Sequence, residues 1–519
     1  MFIRYIFLPL TSILSFATAH AAVYTVGADG ACTHTTIAAA AAAAEAHPGA
    51  DTIHVASNQD YIAQAIAFTA SEQLDIVGGF ADCSQAASNE SHIVVDGVGG
   101  ATDPVFRITV NTGGLVRLSY MTIQHGEEDG SGKGGGIYFK GNGILELNHA
   151  TVTQNIAGYG GGIYAEGTGN ETELVIGEDV AIVGNTARFD GGGVVNDGTE
   201  MTMIQPDSYI ASNHAPNGYG GGLYVNGNNR ASYTYLGSSG LGSLGPIYLN
   251  DAQHGGGIAL RNADHATELH LFSTDPARPM RIRGNTASID GGGIYLAQFS
   301  QLSAWYVWID DNIAPHGAAI ANHIGGVNFN DAAYRPLGSI DCPIGTPCGG
   351  IVGNVAEDGA GQPTGGIVET DHNQTVVFSR MIFEGNTGQS LFQCGNFVVF
   401  HAYHVAITGN TVSGSLIAAD SGDDSFLLQN TTIAGNSIGD DTVLRFGNND
   451  GSGRLHRTII WQPGKTTLHL NGGPQLDLLD DMVSERGSVD GGNSPNVTVL
   501  DPRFVDPEHG DYSLRAGSP

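Results

Sequence analysis

The sequence predicts an all-β protein, a parallel β-helix in which short strands stack coil upon coil into a solenoid capped by an N-terminal helix. Three observations support this prediction. Gly triplets recur along the chain, an Asn motif recurs in phase with them, and short runs of alternating β-forming residues lie between turn residues. No run carries a sustained helical stripe, so the elements between the turns are strands.

Gly triplets mark one half of the repeat. With 77 Gly in 519 residues, chance gives roughly 1.7 such triplets, whereas the sequence has six. A branched aliphatic residue follows each triplet, and Tyr follows four of these aliphatic residues. The triplets begin at Gly134, Gly160, Gly191, Gly220, Gly255 and Gly291, and the tyrosines are Tyr138, Tyr164, Tyr224 and Tyr295. Because Gly accepts positive φ and close backbone approach, we expect a tight corner followed by an inward-facing strand residue.

An apolar residue, two variable residues and Asn form the second motif. It occurs ten times, about 31 residues apart. The ten residues are Asn155, Asn185, Asn213, Asn250, Asn285, Asn312, Asn354, Asn386, Asn410 and Asn436. We expect them to form a ladder at an inside corner, because Asn tolerates the left-handed conformation and its amide can bond the coils above and below. Roughly 14 coils, about 4.8 Å apart, would give a rod about 65–70 Å long.

The paired motifs resemble right-handed parallel β-helix proteins of the pectate-lyase-like superfamily, in particular the central repeats of bacterial polymorphic outer-membrane proteins. This resemblance covers residues 120–465. Residues 23–56 resemble the N-terminal entry of many β-helices, with a capping helix at 35–46 and the first strand around 52–55. Residues 501–519 are similar to the closing turn of secreted β-helix proteins. The resemblance implies a right-handed β-helix, but this fold carries enzymes, adhesins and passive spacers alike.

The chain is expected to be exported. Residues 1–21 have the pattern of a signal peptide, with Arg4, a short apolar run and small residues near Ala21; a retained membrane anchor is the alternative. The mature chain then divides into an N-terminal cap with the first coils (22–119), β-helix repeats (120–465), and last coils with a closing segment (466–519). Insertions at 230–250 and 325–350 are expected to project from one side. The predicted location is extracellular or on the outer cell surface, with no transmembrane segment in the mature chain.

Five cysteines leave at least one without a partner inside the chain. The preferred pairs are Cys32–Cys83, which would staple the N-terminal segment, and Cys342–Cys348, which would close a small loop. Cys394 would then be free and buried. Metal binding is the weaker alternative, because the spacing of Cys342 and Cys348 is too wide for a zinc knuckle and no His pair accompanies it.

Charge narrows the range of partners. The chain has 20 Lys and Arg against 52 Asp and Glu, a formal net charge of −32. This balance argues against nucleic acid and anionic membranes, and against polyanions unless basic residues cluster locally. The partner expected is an extracellular polysaccharide or a glycan of a host or cell surface. No cofactor is expected; calcium is the one candidate, through acidic clusters such as Asp440–Asp441, although these clusters match neither the calcium-binding nonapeptide repeat nor an EF-hand loop.

Four residues are candidates for catalysis. Asp190 and Asp290 precede Gly triplets at the same repeat position, so stacked coils could align them in an acidic strip, and carboxylate pairs are the groups that glycosidases use. Arg281 and Arg283 lie on alternate positions of one strand, where one of them could serve as the base of a polysaccharide lyase. The structural alternatives are that Asp favours turns and that the two arginines lie at the surface and bridge nearby carboxylates.

Five aromatic residues are candidates for stacking on sugar rings: Tyr159, Tyr219, Trp305, Tyr306 and Trp308. In the segment Trp305, Tyr306, Val307 and Trp308, strand alternation would point Trp305 and Val307 to one side and Tyr306 and Trp308 to the other. Two exposed rings near Asp310 would form a platform for sugar rings. The alternative is that the rings pack beneath the insertion at 325–350.

These observations favour a non-catalytic, secreted or surface-displayed scaffold or adhesin that binds carbohydrate, because structural repetition dominates and no catalytic cluster is concentrated in the sequence. A polysaccharide lyase or glycoside hydrolase on the same fold is the second hypothesis. It requires several carboxylates, or a carboxylate and an Arg, within about 10 Å in one groove. A passive spacer is the third, and it predicts no groove.

Overall fold

The computed structural model describes residues 20–98, 102–204, 207–228, 230–238, 246–262, 264–273, 279–331, 346–372, 375–419, 424–447, 452–471, 475–484 and 497–519. Within these ranges the chain is a parallel β-helix with an N-terminal capping helix, which confirms the predicted fold class. Residues 1–19 of the predicted signal peptide lie outside the described residues, as does most of the insertion at 325–350.

Three parallel sheets form the walls of the solenoid. Sheet 1 has 14 strands in the described ranges, which matches the expected number of coils. They are Ile66–Ala70, Phe106–Val110, Ile137–Gly141, Ile163–Gly167, Val194–Asp197, Leu223–Asn226, Ile258–Arg261, Ile294–Ala297, Ile320–His323, Gly366–Thr370, Ser390–Cys394, Ile417–Ala419, Thr442–Gly447 and Thr466–Asn471.

Sheet 2 runs as two parallel tracks that meet at a bend. The first track contains Val23–Val26, Asp51–Ala56, Gln73–Phe80, Leu115–Gln124, Ile144–Thr153, Glu173–Ile176, Glu200–Met203, Ser232–Ser238, Thr267–Ser273, Gln301–Trp305, Gly326–Phe329, Thr375–Ser379, Val399–Tyr403, Ser425–Gln429, Ser452–His456 and Gln475–Leu479. The second contains Ile93–Asp96, Val180–Val183, Tyr209–Ala211, Ile247–Tyr248, Met280–Arg283, Val307–Asp310, Gly349–Val352, Ile382–Glu384, Ala406–Thr408, Thr432–Ala434, Ile459–Trp461, Asp481–Val483 and Val497–Thr498. The long strands Leu115–Gln124 and Ile144–Thr153 pair with both tracks.

Sheet 3 is narrow and closes each coil. Its strands are Ile156–Ala157, Thr186–Ala187, His214–Tyr219, Asp251–His254, Thr286–Asp290, Ile313–Ala314, Val355–Ala356, Thr387–Gly388, Thr411–Val412 and Ser437–Ile438. The coils that begin between Ile137 and Ile417 pass through sheet 1, both tracks of sheet 2, and sheet 3 before the chain enters the next strand of sheet 1. A short antiparallel hairpin, Phe504–Asp506 with Asp511–Leu514, follows the last coil, and a 3₁₀ turn, Pro507–His509, connects its strands.

The helix Ile37–Glu45 caps the N-terminal end of the core. The Thr36 side chain accepts a hydrogen bond from the Ala39 N–H at the start of the helix. Ile37 and three alanines of the helix form its buried face. The predicted first strand is in fact the second, because Val23–Val26 precedes the helix and pairs in parallel with Asp51–Ala56. The helix therefore lies between the first two strands and covers the N-terminal end of the solenoid, where the sheet edges would otherwise be open.

The cysteines agree with the prediction where the structure describes them. Cys32 and Cys83 form a disulfide that links the N-terminal segment to the turn after the strand Gln73–Phe80. Cys394 is free and buried, at 7% exposure. Cys342 lies outside the described residues, so the pair Cys342–Cys348 stays a prediction.

The Gly triplets build the corner between sheets 3 and 1. The first Gly of each triplet is left-handed; Gly191, for example, has a φ of 70°. A Cβ on the next residue, Gly192, would lie 2.4 Å from the carbonyl oxygen of Gly221 in the adjacent coil, so the coils can stack there only through glycine. The aliphatic residue after each triplet is fully buried in the core, as predicted.

The predicted asparagines form a continuous ladder at the corner between sheets 2 and 3. Each Oδ1 accepts hydrogen bonds from the backbone N–H and the side-chain Nδ2 of the preceding rung. Asn285, for example, accepts both from Asn250, at 3.0 Å each, and its own Nδ2 donates to the Ile247 carbonyl. The expectation that the Asn itself is left-handed was wrong. The residue before each Asn, such as Leu249, is the one with a positive φ. Gly often occupies this position for that reason.

The ladder extends one rung beyond the predicted set. With its amide oxygen turned toward Asn436, Gln462 accepts from the backbone N–H and Nδ2 of that residue, at 2.8 and 3.0 Å. At the other end, Asn155 accepts from the Gly126 N–H at 2.8 Å. The ladder therefore joins twelve successive coils through the same buried corner.

Removing one rung should destabilise the solenoid strongly. Asn285→Ala leaves the N–H and Nδ2 of Asn250 without acceptors in a buried corner, and each unsatisfied group costs about 1–3 kcal/mol. We expect the free energy of unfolding in urea to fall by about 3 kcal/mol. The matched control is Asn217→Ala, at an exposed position of the strand His214–Tyr219. Equal losses from the two variants would contradict a special role for the ladder.

A buried carboxyl group lies near the C-terminal end of the solenoid. Asp481 is 2% exposed and accepts hydrogen bonds from the N–H groups of Thr458 and Leu479, at 2.9 and 3.0 Å. Burial raises the pKa of Asp481 to about 7 despite these two hydrogen bonds, which lower it. The folded protein therefore holds this proton more tightly than the unfolded chain does.

The stability of the last coils should consequently fall as the pH rises. The unfolded chain loses the Asp481 proton near its ordinary pKa of 3.8, so stability declines between about pH 4 and 7 and then levels off, by about 1.4 kcal/mol per unit of pKa difference. Hydrogen exchange of the strands Ser452–His456 and Asp481–Val483 measures this decline. Asp481→Asn should flatten it, whereas the exposed control Asp501→Asn should not. A flat wild-type profile would contradict the prediction.

Candidate functional site

The outer face of sheet 1 brings tyrosines, histidines, carboxylates and basic side chains together on one surface. Because strand residues alternate, the Tyr that follows the buried aliphatic residue after a Gly triplet points outward. In-register pairing then aligns equivalent residues of successive coils into columns. We call the middle one the tyrosine column; it contains Tyr138, Tyr164, Val195, Tyr224, Ala259, Tyr295 and Ala321.

Two further columns flank the tyrosine column. The pre-glycine column holds the residue before each left-handed Gly: Lys133, Tyr159, Asp190, Tyr219, His254, Asp290 and His316. The charged column holds the next outward residue of each strand: Lys140, Glu166, Asp197, Asn226, Arg261, Ala297 and His323. The face is therefore a strip of aromatic rings between two lines of polar groups.

The tyrosines of the middle column are largely buried, although they lie outside the solenoid core. Tyr164, Tyr224 and Tyr295 are 4–8% exposed and form a second apolar cluster with Val195 and Ala259. Rings and charged side chains from the flanking columns cover them. Tyr219 is 5.4 Å from Tyr295, measured between ring centroids, so the rings interlock across columns. The floor of the face is thus rigid and aromatic, with partly exposed groups at its margins.

A central cluster forms where the columns come closest. The rings of Tyr219 and His254 stack at 4.7 Å, and the Arg261 guanidinium lies 5.7 Å from the Tyr219 ring centroid. The Tyr219 N–H donates to Asp190 Oδ1 at 3.0 Å. Arg261 makes no salt bridge within 4 Å to any described carboxylate. A guanidinium, a carboxylate and aromatic rings therefore lie together in one place.

Asp290 bridges two histidines in this cluster. Its Oδ1 lies 2.5 Å from His254 Nδ1, and its Oδ2 lies 3.0 Å from His323 Nε2. His323 Nδ1 also contacts Asp371 Oδ2. Burial alone would raise the pKa of Asp290, but the two histidines outweigh burial and lower it. The hydrogen bonds to Asp290 and Asp371 raise the pKa of His323 to about 10, so His323 is a cation at neutral pH.

The remaining carboxylates of the face differ in their environments. Burial raises the pKa of Glu166, but Lys133, Lys140 and Tyr138 outweigh it and hold the value at about 2. Burial raises the pKa of Asp197, whose Oδ2 accepts from the Tyr164 hydroxyl at 2.7 Å. Glu166 is therefore a fixed anion, whereas desolvation favours the neutral form of Asp197.

The predicted acidic strip is absent. Asp190 and Asp290 do share the pre-glycine column, but Tyr219 and His254 occupy the two coils between them. The two carboxylates are consequently about 14 Å apart along the axis at three coil spacings. Asp190 instead lies near Arg261 and His254, which lower its pKa, although burial has the larger effect and raises it. The residue before each Gly was visible in the sequence, and comparing all seven would have revealed this column.

Arg281 and Arg283 lie elsewhere, on the second track of sheet 2. Arg281 Nη1 is 2.9 Å from Asp310 Oδ2, and Arg283 Nη2 is 2.7 Å from Asp311 Oδ2. This geometry is that of surface arginines bridging nearby carboxylates. It places neither arginine near Asp190 or Asp290.

The predicted aromatic platform is only partly exposed. Trp305 is 8% exposed, and Asp310 is 5% exposed beside the two arginines. Tyr306 has a φ of 62°, which interrupts the strand, so Val307 enters the core rather than following Trp305 as strand alternation predicted. Trp308 lies over Gly350 of the next coil, and the Arg281 guanidinium is 5.5 Å from its ring. These residues face outward from sheet 2 rather than sheet 1.

A cavity of about 470 Å³ opens beyond Trp308 on the same face of sheet 2. Its lining includes Pro347, Met381, Ile382, His404 and Thr432. For metals, the described residues contain one group of three close potential ligands, Asp29, Cys32 and Cys83, and its cysteines form the disulfide. Calcium binding at the acidic clusters therefore stays a prediction.

Neither a scan against protein-family models nor a search of curated proteins finds a match for this chain. In the part of the chain that the structure describes, no helix combines the length and apolar character needed to cross a membrane.

The Asp290 bridge should be detectable by titration. Asp290→Asn removes the first of the two carboxylates that hold the His323 proton, so we expect the pKa of His323 to fall from about 10 by about one unit or more. Asp371→Asn should act in the same direction. Because the raised pKa stabilises the fold below about pH 6.5 and this contribution is lost near pH 10, each variant should also reduce that alkaline loss. NMR titration of the histidine rings measures the pKa, and an unchanged value would contradict the bridge.

Proposed function

We propose that this protein is a secreted or surface-displayed β-helix scaffold or adhesin that binds extracellular carbohydrate, without cleaving it, along the outer face of sheet 1. The single observation that carries this proposal is the strip of tyrosines bordered on both sides by hydrogen-bonding side chains. The resemblance of the repeats to the pectate-lyase-like superfamily and to polymorphic outer-membrane proteins supports the same class.

The chemistry of the face suits sugars. Aromatic rings offer flat apolar surfaces to the C–H faces of pyranoses, while Arg261, Asp190 and the His254 ring supply donors and acceptors for hydroxyl groups. Tyr159 and Tyr219 are partly exposed, so a ligand can reach them. The buried tyrosines beneath hold these groups in place, which reduces the entropy lost on binding.

The charge of the face favours a neutral ligand. Two of the three lysines of the chain, Lys133 and Lys140, are paired with Glu166, and Asp290 is paired with His323. Positive and negative groups therefore largely cancel here, in a chain of net charge −32. A polyanion would gain little from such a face and would be repelled by the rest of the molecule.

The state of the carboxylates supports binding rather than cleavage. Glu166 and Asp290 are held as anions by fixed partners, so neither of them is suited to donate a proton. The Cys32–Cys83 disulfide supports an extracellular location, because disulfides persist in oxidising compartments.

A polysaccharide-active enzyme is the second candidate, and Asp190 favours it. Burial raises the pKa of Asp190, and Arg261 and His254 lie close enough to affect it. A carboxyl group with a raised pKa beside an Arg is an arrangement that acid–base catalysis can use. In this case Asp190 would be the proton donor.

A polysaccharide screen separates the two functions. The mature chain from residue 22 is incubated with immobilised and soluble glycans, with and without calcium, and product release is followed in the same samples. We expect binding without new reducing ends or unsaturated products. Arg261→Gln should weaken binding about tenfold, because it removes charged hydrogen bonds at the centre of the face.

The controls define the remaining outcomes. Arg454→Gln is the matched variant, because Arg454 lies on the first track of sheet 2, outside this face, and it should bind like the wild type. Product release that Asp190→Asn abolishes would replace the binding function with the enzymatic one. No binding and no products would contradict both and favour a passive spacer.

A further inference from the structure

Two stacked pairs of rings lie along one margin of the outer face of sheet 1. The rings of Tyr159 and Phe189 stack with their centroids 5.1 Å apart, and those of Tyr219 and His254 stack at 4.7 Å. Phe189 is 41% exposed, and Tyr159 and Tyr219 are partly exposed. Both pairs therefore present ring surface to a ligand.

The two pairs are separated by two coils. Tyr159 and Tyr219 occupy the same pre-glycine column, with Asp190 between them. Two coil spacings correspond to about 9.6 Å along the rod axis. A ligand that touches both pairs must therefore run parallel to the axis.

The floor of the face has the same two-coil period. From Tyr164 onward, large and small side chains alternate strictly in the tyrosine column: Tyr164, Val195, Tyr224, Ala259, Tyr295 and Ala321. The small residues are flanked on both sides by polar or ionisable groups. These pairs are Asp190 and Asp197 beside Val195, His254 and Arg261 beside Ala259, and His316 and His323 beside Ala321.

Coils with a buried tyrosine at the floor of the face thus alternate with coils that have a small floor residue between two polar groups. The chemical period of the surface is two coils, although its structural period is one. A ligand complementary to this surface should itself repeat every second unit, with each unit about as long as one coil spacing.

We propose that the ligand is a linear, neutral β-1,4-linked glycan that lies parallel to the rod axis, with each disaccharide spanning two coils. This inference rests on the proposed function. In an extended β-1,4-linked chain each pyranose is turned over relative to its neighbours, so the same ring face and the same hydroxyl groups return at every second sugar. Glycans that coil, such as β-1,3- or α-1,4-linked glucans, would leave a straight column after one or two sugars. Neutrality follows from the paired charges of the face and the net charge of −32.

Oligosaccharide length provides the test. Isothermal titration calorimetry of the mature chain uses β-1,4-linked di-, tetra- and hexasaccharides of glucose, mannose and N-acetylglucosamine, with β-1,3- and α-1,4-linked glucose oligomers of equal length for comparison. We expect one β-1,4-linked series to bind, with affinity rising about tenfold from di- to tetrasaccharide as the second ring pair is engaged. The other linkages should bind about tenfold more weakly, or not at all.

Single variants show whether the two ring pairs cause the increase in affinity from the di- to the tetrasaccharide. Phe189→Ala should abolish most of the gain between di- and tetrasaccharide, because it disrupts one of the two pairs. Tyr219→Ala should do the same through the other pair. The matched control is Phe397→Ala, since Phe397 is 47% exposed and lies outside the three columns. Thermal unfolding of each variant confirms that it is folded, and Phe189, the more exposed ring, carries the test if Tyr219→Ala unfolds.

The outcomes separate this inference from the function on which it rests. If no glycan binds, both fail. If glycans bind but linkage makes no difference, or affinity does not rise with length, the two-coil match is wrong while carbohydrate binding stands. If the gain survives in Phe189→Ala and Tyr219→Ala as it does in Phe397→Ala, the ring pairs are not the subsites.

Discussion

Bonding between equivalent backbone and amide groups of successive coils is the constraint on which the rest of this molecule depends. At the asparagine corner each side chain binds the same two nitrogens of its neighbour, and along the Gly triplets a Cβ on the middle glycine would meet backbone atoms of the adjacent coil. A coil that slipped by one residue would lose both sets of contacts and would turn its aliphatic residues outward. Register is therefore fixed at two corners, and it is register that converts a sequence repeat into columns of like side chains.

The columns explain how an acidic chain maintains a face rich in buried polar groups. Burying a carboxylate is unfavourable unless a partner is close, and in a stacked solenoid the partners come from adjacent coils. Glu166 obtains both lysines in this way, and Asp290 obtains one histidine from the coil before it and another from the coil after it. The ionised groups and the tyrosines consequently form one connected layer, which the backbone holds in place.

The repeat motifs carried enough information to predict the solenoid, because glycine and asparagine at these corners are required by backbone geometry. The binding face was less visible, because it depends on which residues stand in the same column. The sequence indicated Asp190, Asp290 and Tyr219 as separate candidates, but it did not show that Tyr219 and His254 stand in one column between the two aspartates. The prediction that Trp305 and Val307 point to the same side was wrong, because strand alternation ends at the left-handed Tyr306. The residues around Tyr306 do not indicate this interruption. Gln462 was missed as a rung because it is one methylene longer than the motif residue.

The difference between a structural period of one coil and a chemical period of two has an evolutionary consequence. Solenoids gain and lose coils by duplication and deletion of repeats, and the backbone accepts a single coil as readily as a pair. The side chains of this face, in contrast, keep their alternation only when coils are gained or lost in pairs. Losing one coil would bring two coils of like kind together, while losing two would shorten the face and leave the alternation intact. The length of such a surface can then change smoothly only in even steps, so homologues that keep its chemistry should differ from this chain by whole pairs of repeats.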